Sequence, residues 1–199
     1  MPLKNVSRET LVKLRKYHDI LLKWQRAVNL VSPKTIPEAW QRHFEDSAQI
    51  AQFLPPQAKT LLDLGSGAGF PGLVLAILRP DMDVHLVESD EKKCQFLRNV
   101  SRETLTPVTI HNCRIENLEA GIIPDIITAR ALADLAALLG YALPYAEKNP
   151  ALVLLFSKGE KADAEIAMAQ ESFSFEITTH PSLTHDGAQI LEIWNLRRI

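Results

Sequence analysis

The chain has 199 residues, 46% of them hydrophobic and 23% charged, which suits one soluble α/β domain with an extension better than two independent domains. A net charge of −2 argues against an indiscriminate nucleic-acid binder, no apolar run approaches the roughly 18 residues of a membrane span, and the opening Met-Pro-Leu-Lys-Asn offers no apolar signal core. Cys94 and Cys113 lack C-x-x-C spacing, so a reduced, cytoplasmic compartment fits, whereas a disulfide framework or structural zinc does not.

From Ser7 to about Leu30, the apolar residues Leu11, Leu14, Leu21, Leu22, Trp24 and Val28 recur at helical spacing with basic residues between them, which predicts an amphipathic helix in need of a partner surface. Ser32 before Pro33 ends it. A second helix is predicted from Pro37 through Phe53, carrying Trp40, Arg42, His43, Phe44 and Asp46, and Pro55-Pro56 closes this extension. His43 has no second metal-type residue at helical spacing and reads as a capping or substrate-edge residue. Residues 1–60 hold ten Lys/Arg against five Asp/Glu, net +5, while the rest is acidic. That excess fits a phosphate-facing surface, and from charge alone it fits a solvated amphipathic helix as well.

The chain is organised around Thr60–Arg79. Leu61, Leu62 and Leu64 flank Asp63 in a short buried strand, Gly65, Gly67 and Gly69 form a tight turn, and Pro71 opens an apolar helix at its first position. Glycine lets backbone meet ligand. A dinucleotide site calls for G-x-G-x-x-G, but the sixth position is Phe70, and Asp63 would repel a phosphate. No Gly-Lys-Ser/Thr follows, so a P-loop is excluded. A cationic, phosphate-free ligand such as S-adenosylmethionine suits this turn, the alternative being an ordinary βα turn. Val84 to Val87 forms a second strand ending in Glu88, where an acid can accept from both ribose hydroxyls of an adenosine.

Asp90 begins a helix from Glu91 to Leu105, and Pro107 to His111 is a third strand leading to Cys113-Arg114-Ile115-Glu116. Pro124 to Thr128 is a fourth strand ending in Ala129-Arg130-Ala131. Leu132 to Ala146 is a helix, and Ala151 to Phe156 is a fifth strand before Ser157-Lys158-Gly159. Asp163 to Gln170 is a helix, and Phe173 to Thr179 and Ile190 to Leu196 alternate as half-buried strands. Five βα steps and a terminal β pair predict a seven-stranded mixed sheet. Arg130 follows the fourth strand directly and is expected at the mouth of the site. As a surface arginine it would pair with Asp134, and its removal would then cost little stability.

With these residues in view, the sequence resembles the bacterial ribosomal RNA small subunit methyltransferase G family, also called glucose-inhibited division protein B. The likeness lies in Lys-Trp-Gln-Arg-Ala-Val-Asn-Leu-Val at 23–31, Arg-His-Phe-Glu-Asp-Ser at 42–47, Asp-Leu-Gly-Ser-Gly-Ala-Gly-Phe-Pro-Gly at 63–72, Arg-Ile-Glu at 114–116, Thr-Ala-Arg-Ala at 128–131 and Lys-Gly at 158–159. The resemblance implies a Rossmann-like class I methyltransferase fold, with a helical extension over 1–58 packed on a domain over 59–199. It also implies methyl transfer from S-adenosylmethionine to guanine N7 in 16S (small-subunit) ribosomal RNA. It assigns the cofactor to Gly65, Phe70, Ile115, Glu116 and Arg130, to which the residues themselves add Asp63, Gly67, Gly69 and Glu88. Phe70 and Ile115 would flank the adenine, and Glu116 would lie near its exocyclic amine.

Guanine N7 has an in-plane lone pair and no proton to lose, so alignment matters more than a general base, and none is assigned. An adenine N6 enzyme should show Asn/Asp-Pro-Pro-aromatic after the fourth strand, where this chain reads Thr-Ala-Arg-Ala. A cytosine C5 enzyme needs an activated cysteine. The expected partners are the RNA or the small ribosomal subunit, with no membrane, no metal and a monomeric chain. The competing readings are a small-molecule methyltransferase of the same fold and a non-catalytic nucleotide-binding module.

Overall fold

The computed structural model describes residue 3 and residues 6–119 and 121–199. Seven strands form one sheet in the order β3-β2-β1-β4-β5-β7-β6. They are β1 (Thr60–Leu64), β2 (Asp83–Glu88), β3 (Thr109–Asn112), β4 (Ile126–Arg130), β5 (Val153–Lys158), β6 (Phe173–Pro181) and β7 (Gln189–Arg198). The first five are parallel, and β7 runs antiparallel between β5 and β6. β1 lies centrally with Leu61 to Leu64 all fully buried, as expected of a parallel strand covered on both faces. Strand order reverses on either side of it, which opens a crevice at the carboxyl ends of β1 and β4.

The helices are α1 (Arg8–Trp24), α2 (Asp46–Ala48), α3 (Gly72–Leu78), α4 (Glu91–Thr104), α5 (Leu135–Ala146) and α6 (Ala162–Ala169). Capping residues start three of them. Ser7 accepts from the Thr10 N–H, Asp90 from those of Lys92 and Lys93, and Asp134 from that of Ala137. The last of these corrects the expected start at Leu132, since residues 131–134 lie outside α5. Pro71 is likewise not the first helical residue but precedes Gly72, after a cis Phe70–Pro71 bond. β3 leads to a short 3₁₀ turn, Ile115–Asn117, so the third of the five expected βα steps has no α-helix. No described helix is long and apolar enough to cross a membrane.

The expected regular helix over 37–53 is a helical run of changing pitch. It passes from 3₁₀ (Pro33–Glu38) through π (Trp40–Glu45) and α2 to 3₁₀ again (Gln49–Phe53). Pro33 and Pro37 remove backbone donors at its start, and the π turn carries its wider spacing to Asp46, whose N–H bonds the Gln41 carbonyl. Arg42, His43 and Asp46 thereby all reach the crevice.

Two apolar clusters cover the two faces of the sheet. One gathers Leu14, Tyr17 and Leu21 of α1, Phe44 and Ile50 of the irregular run, and Leu73, Phe96 and Leu97 of α3 and α4. The other packs α5 and α6 on Leu62, Leu64, Ile127 and Phe156. The extension therefore has no core of its own and shares one with the first βα units. Lys16 bonds Glu103 at 3.0 Å across the α1–α4 contact. Unfolding by denaturant, followed by Trp24 and Trp40 fluorescence in a Trp194→Phe background and by circular dichroism, should give one coincident transition. A fluorescence change that precedes the loss of helix signal would show the extension detaching first.

Candidate functional site

A cavity of about 880 Å³ opens at the carboxyl edge of the sheet. Gly65, Gly67, Phe70, Glu88, Ile115, Glu116 and Arg130 all line it, whereas Asp63 and Gly69 do not. Gly67 has φ +56, and a Cβ there would meet only the Gly65 carbonyl, at 3.8 Å, so its backbone faces open space. Gly69 has φ +88, and a Cβ there would strike Tyr17, Leu73 and Leu97, so it serves packing beneath the turn.

Asp63 also acts from below. Its carboxylate is fully buried, accepting from the Thr128 hydroxyl at 2.7 Å and from the Gly72 N–H at 3.3 Å. It ties β1 to β4 and caps the start of α3 from a neighbouring strand. The expected direct role of Asp63 at a ligand is therefore corrected, because no part of it reaches the cavity. The turn is poorly suited to phosphate by another route: four of its N–H groups are committed. Ser66 donates to Val87, Gly67 to Glu88 at 2.9 Å, and both Gly69 and Phe70 to the Ser66 carbonyl. Few backbone donors are left for an anion.

Glu88 accepts from Gly67 through one carboxylate oxygen and from Asp90 at 2.8 Å through the other, and it is 8% exposed at the cavity wall. A carboxylate has about four acceptor positions, so two remain for hydroxyls. Ile115 is half-buried, and Glu116 is exposed, accepting from the Tyr141 hydroxyl at 3.0 Å. Phe70 lines the cavity, but most of its surface goes to packing. Its ring is 4% exposed, stacked with Tyr17 and His43, edge-on to Phe44, and under the Arg130 guanidinium. It joins the extension to the turn. Tyr17 completes the join by donating its hydroxyl to the Ala68 carbonyl, and burial holds that phenol protonated by raising its pKa well above the usual value.

Arg130 is not paired with Asp134. It donates to Asp46 at 3.1 Å, to the Arg42 carbonyl at 3.1 Å and to His43 Nδ1 at 2.9 Å. Guanidinium only donates, so Nδ1 is the acceptor and Nε2 carries the proton, given to the Thr35 hydroxyl at 2.8 Å. The Arg130–Asp46 pair is largely desolvated, and removing either member would cost on the order of 2–3 kcal/mol, more than the small stability loss expected for a surface pair with Asp134.

Several residues here carried no assignment from sequence. Asp46 also accepts from Gln49 at 2.9 Å and from Thr184 at 2.6 Å, and Gln49 accepts from the Leu183 N–H at 2.8 Å. The β6–β7 hairpin tip is thus fastened to the extension. Gln25 accepts from the N–H groups of Leu30 and Val31, both at 3.0 Å, fixing a cavity-lining loop. The Arg-His-x-x-Asp spacing at 42–46 held a signal for Asp46, whereas the hairpin contact, 138 residues distant, held none. The cysteines are unactivated: burial pushes Cys94 up to about 11 and also raises Cys113.

Two buried groups titrate in opposition. Burial, opposed by bonds from Thr128 and Gly72, raises Asp63 from 3.8 to about 6. Burial and then the Arg130 charge lower His43 from 6.5 to about 4. Between about pH 4 and 6 the folded chain holds more proton on Asp63, and less on His43, than the unfolded chain does. On acidification Asp63 therefore adds stability and His43 removes it. His43→Gln should become more stable relative to wild type as pH falls from 6.5 to 4, and Asp63→Asn less stable, in denaturant titrations at each pH. Parallel profiles for all three proteins would contradict this.

A family model described as rRNA small subunit methyltransferase G matches residues 10–193. A ribosomal RNA small subunit methyltransferase G from Paramagnetospirillum magneticum is 48% identical, over 97% of this chain and 92% of its own length. Another, from Parvibaculum lavamentivorans, is 46% identical over 98% and 87%. Among solved structures, magnesium protoporphyrin IX methyltransferase from Synechocystis PCC 6803, with bound SAM, gives a TM-score of 0.59 at 17% identity over 95% of this chain and 97% of that one. Precorrin-6y C5,15-methyltransferase from Geobacter metallireducens gives 0.59 at 14% over 85% and 93%. The shared feature is the fold, the Rossmann-like seven-stranded sheet of class I methyltransferases.

Proposed function

The chain belongs to the ribosomal RNA small subunit methyltransferase G family, and from that premise we propose that it transfers the methyl group of S-adenosylmethionine to N7 of one guanine in 16S ribosomal RNA. The observation that carries the cofactor is the self-bonded glycine turn beside Glu88. It suits a nucleoside without phosphates, whose ribose hydroxyls meet the two free acceptor positions of that carboxylate. Gly67 lies open to the same ligand, Gly65 lines the cavity beneath Leu132, and Ile115 gives the adenine an apolar edge. S-adenosylmethionine supplies a methyl carbon on a cationic sulfur. The guanine N7 lone pair forms the new bond to that carbon as the sulfur–carbon pair returns to sulfur.

The residues of the chain have no proton to move in this step. Their work is orientation and exclusion of water, and the neutral His43 and the unactivated cysteines accord with that. We take the RNA to approach over the extension. Lys13 and Lys16 are committed to Glu9 and Glu103, but Lys23, Arg26 and Lys34 are exposed and Arg42 lines the cavity mouth. We place the activity in the cytoplasm, in a monomer that needs no metal.

Labelled cofactor should enter small-subunit RNA or subunits from a strain lacking this protein, and mapping should find one N7-methylguanine. Label entering only small metabolites would reject the RNA reading. Gly67→Ala adds a methyl at the cavity floor and strains a left-handed residue by about 1 kcal/mol, so cofactor affinity by calorimetry should drop while the fold stays. Three phosphate contacts would weaken RNA binding by roughly a factor of 20 between about 50 and 200 mM salt. Replacing Lys23, Arg26 and Arg42 with Gln should flatten that slope and leave cofactor affinity alone. Salt-indifferent binding would move the RNA to another face.

A further inference from the structure

Just past β4 the backbone takes a course that neither the glycine turn nor the Arg130 junction requires. Ala131 has φ 53, a left-handed conformation that residues with a Cβ rarely adopt. The strained segment is held at both ends. Arg130 fixes the near end through Asp46 and His43. At the far end Lys158, its side chain 7% exposed, donates to the Ala133 carbonyl at 2.6 Å and pairs with Glu165 at 2.6 Å. The same Glu165 oxygen accepts from the Leu135 N–H at 2.8 Å.

What this arrangement displays is Leu132. Its side chain lies on the cavity wall, 37% exposed, with Arg130, Lys158 and Glu165 also lining that space. It packs so closely over Gly65 that a Cβ there would come within 2.5 Å of Leu132 Cδ1. The β1–β4 register pairs Leu64 with Ala129, so Gly65 and Arg130 leave the sheet side by side where the strand order reverses. Core burial does not account for a leucine held half out of the protein by a strained alanine and a desolvated ion pair. An apolar ligand face that arrives at the glycine turn does.

We propose that Leu132 is the apolar wall against which the target base lies as its N7 meets the methyl donor, and that Lys158 and Glu165 are positioning residues that hold its loop. The inference rests on the RNA methyltransferase reading. A base drawn out of its stack loses a few kcal/mol of stacking, and a branched aliphatic surface beside the reacting atoms restores part of that contact and excludes water.

The test measures methyl transfer to small-subunit RNA and, separately, cofactor affinity by calorimetry. Leu132→Ala should lower kcat at saturating RNA at least about tenfold, equivalent to about 1.4 kcal/mol of barrier, with cofactor affinity changed less than about threefold. Leu132→Met should recover most of the rate. Lys158→Met should reproduce the kcat loss, and Lys158→Arg should restore part of it, a split that general destabilisation would not give. Unchanged kcat in Leu132→Ala alongside normal wild-type labelling overturns the wall and leaves the functional reading intact. A fall in cofactor affinity that accounts for the whole rate loss also overturns it, by assigning Leu132 to the cofactor. Wild-type protein that labels no RNA overturns the functional reading and the wall with it.

Discussion

The arrangement at the mouth of the cavity depends on one desolvated charge pair, Arg130 with Asp46, whose side chains are 17% and 18% exposed. Charges withdrawn from water must satisfy every donor and acceptor they bring, and these two do so by recruiting distant parts of the chain. Arg130 engages the backbone and imidazole of the irregular helical run, and Asp46 engages Gln49 and the hairpin tip. Two segments, the irregular run and the hairpin tip, are thereby tied to β4 through one ionic contact. His43 must remain neutral to take part, and its burial beside a guanidinium keeps it so at physiological pH.

The strands were legible because a parallel sheet buried on both faces demands short apolar runs, and Leu61–Leu64, Val84–Val87 and Ile126–Ala129 are such runs. Glycine, Asp90 and the proline pairs punctuated them. The irregular run between Pro33 and Phe53 was not legible in pitch, since its apolar spacing fits an α-helix and the π turn is set by what Arg42, His43 and Asp46 must reach. Most of the residues singled out from sequence do line one cavity, but the sequence did not show which of them lie beneath its wall. Asp63 and Gly69 occupy the turn's underside, and Phe70 is consumed by aromatic neighbours from the extension. Such distinctions depend on contacts between residues dozens apart in sequence, and no local pattern encodes them.

The extension has two kinds of positive charge. Lys16 spends its charge on Glu103 of α4, whereas Lys13 pairs with Glu9 on its own helix and donates to the Leu105 carbonyl, just past α4, at 3.4 Å. Their long aliphatic stems cover apolar surface at the α1–α4 contact. A count of basic residues over 1–60 therefore overstates the field available to an approaching polyanion.

A glycine turn with four of its N–H groups already bonded is held in shape before anything binds, so ordering it on occupancy costs little conformational entropy. The same economy limits discrimination. In the proposed reading Glu88 and the turn would meet the sugar of a nucleoside, a feature shared by the methylated cofactor and by the thioether left after transfer. A spent cofactor should therefore compete with a fresh one at comparable affinity, and turnover in the cell would follow the ratio of the two as much as the amount of either.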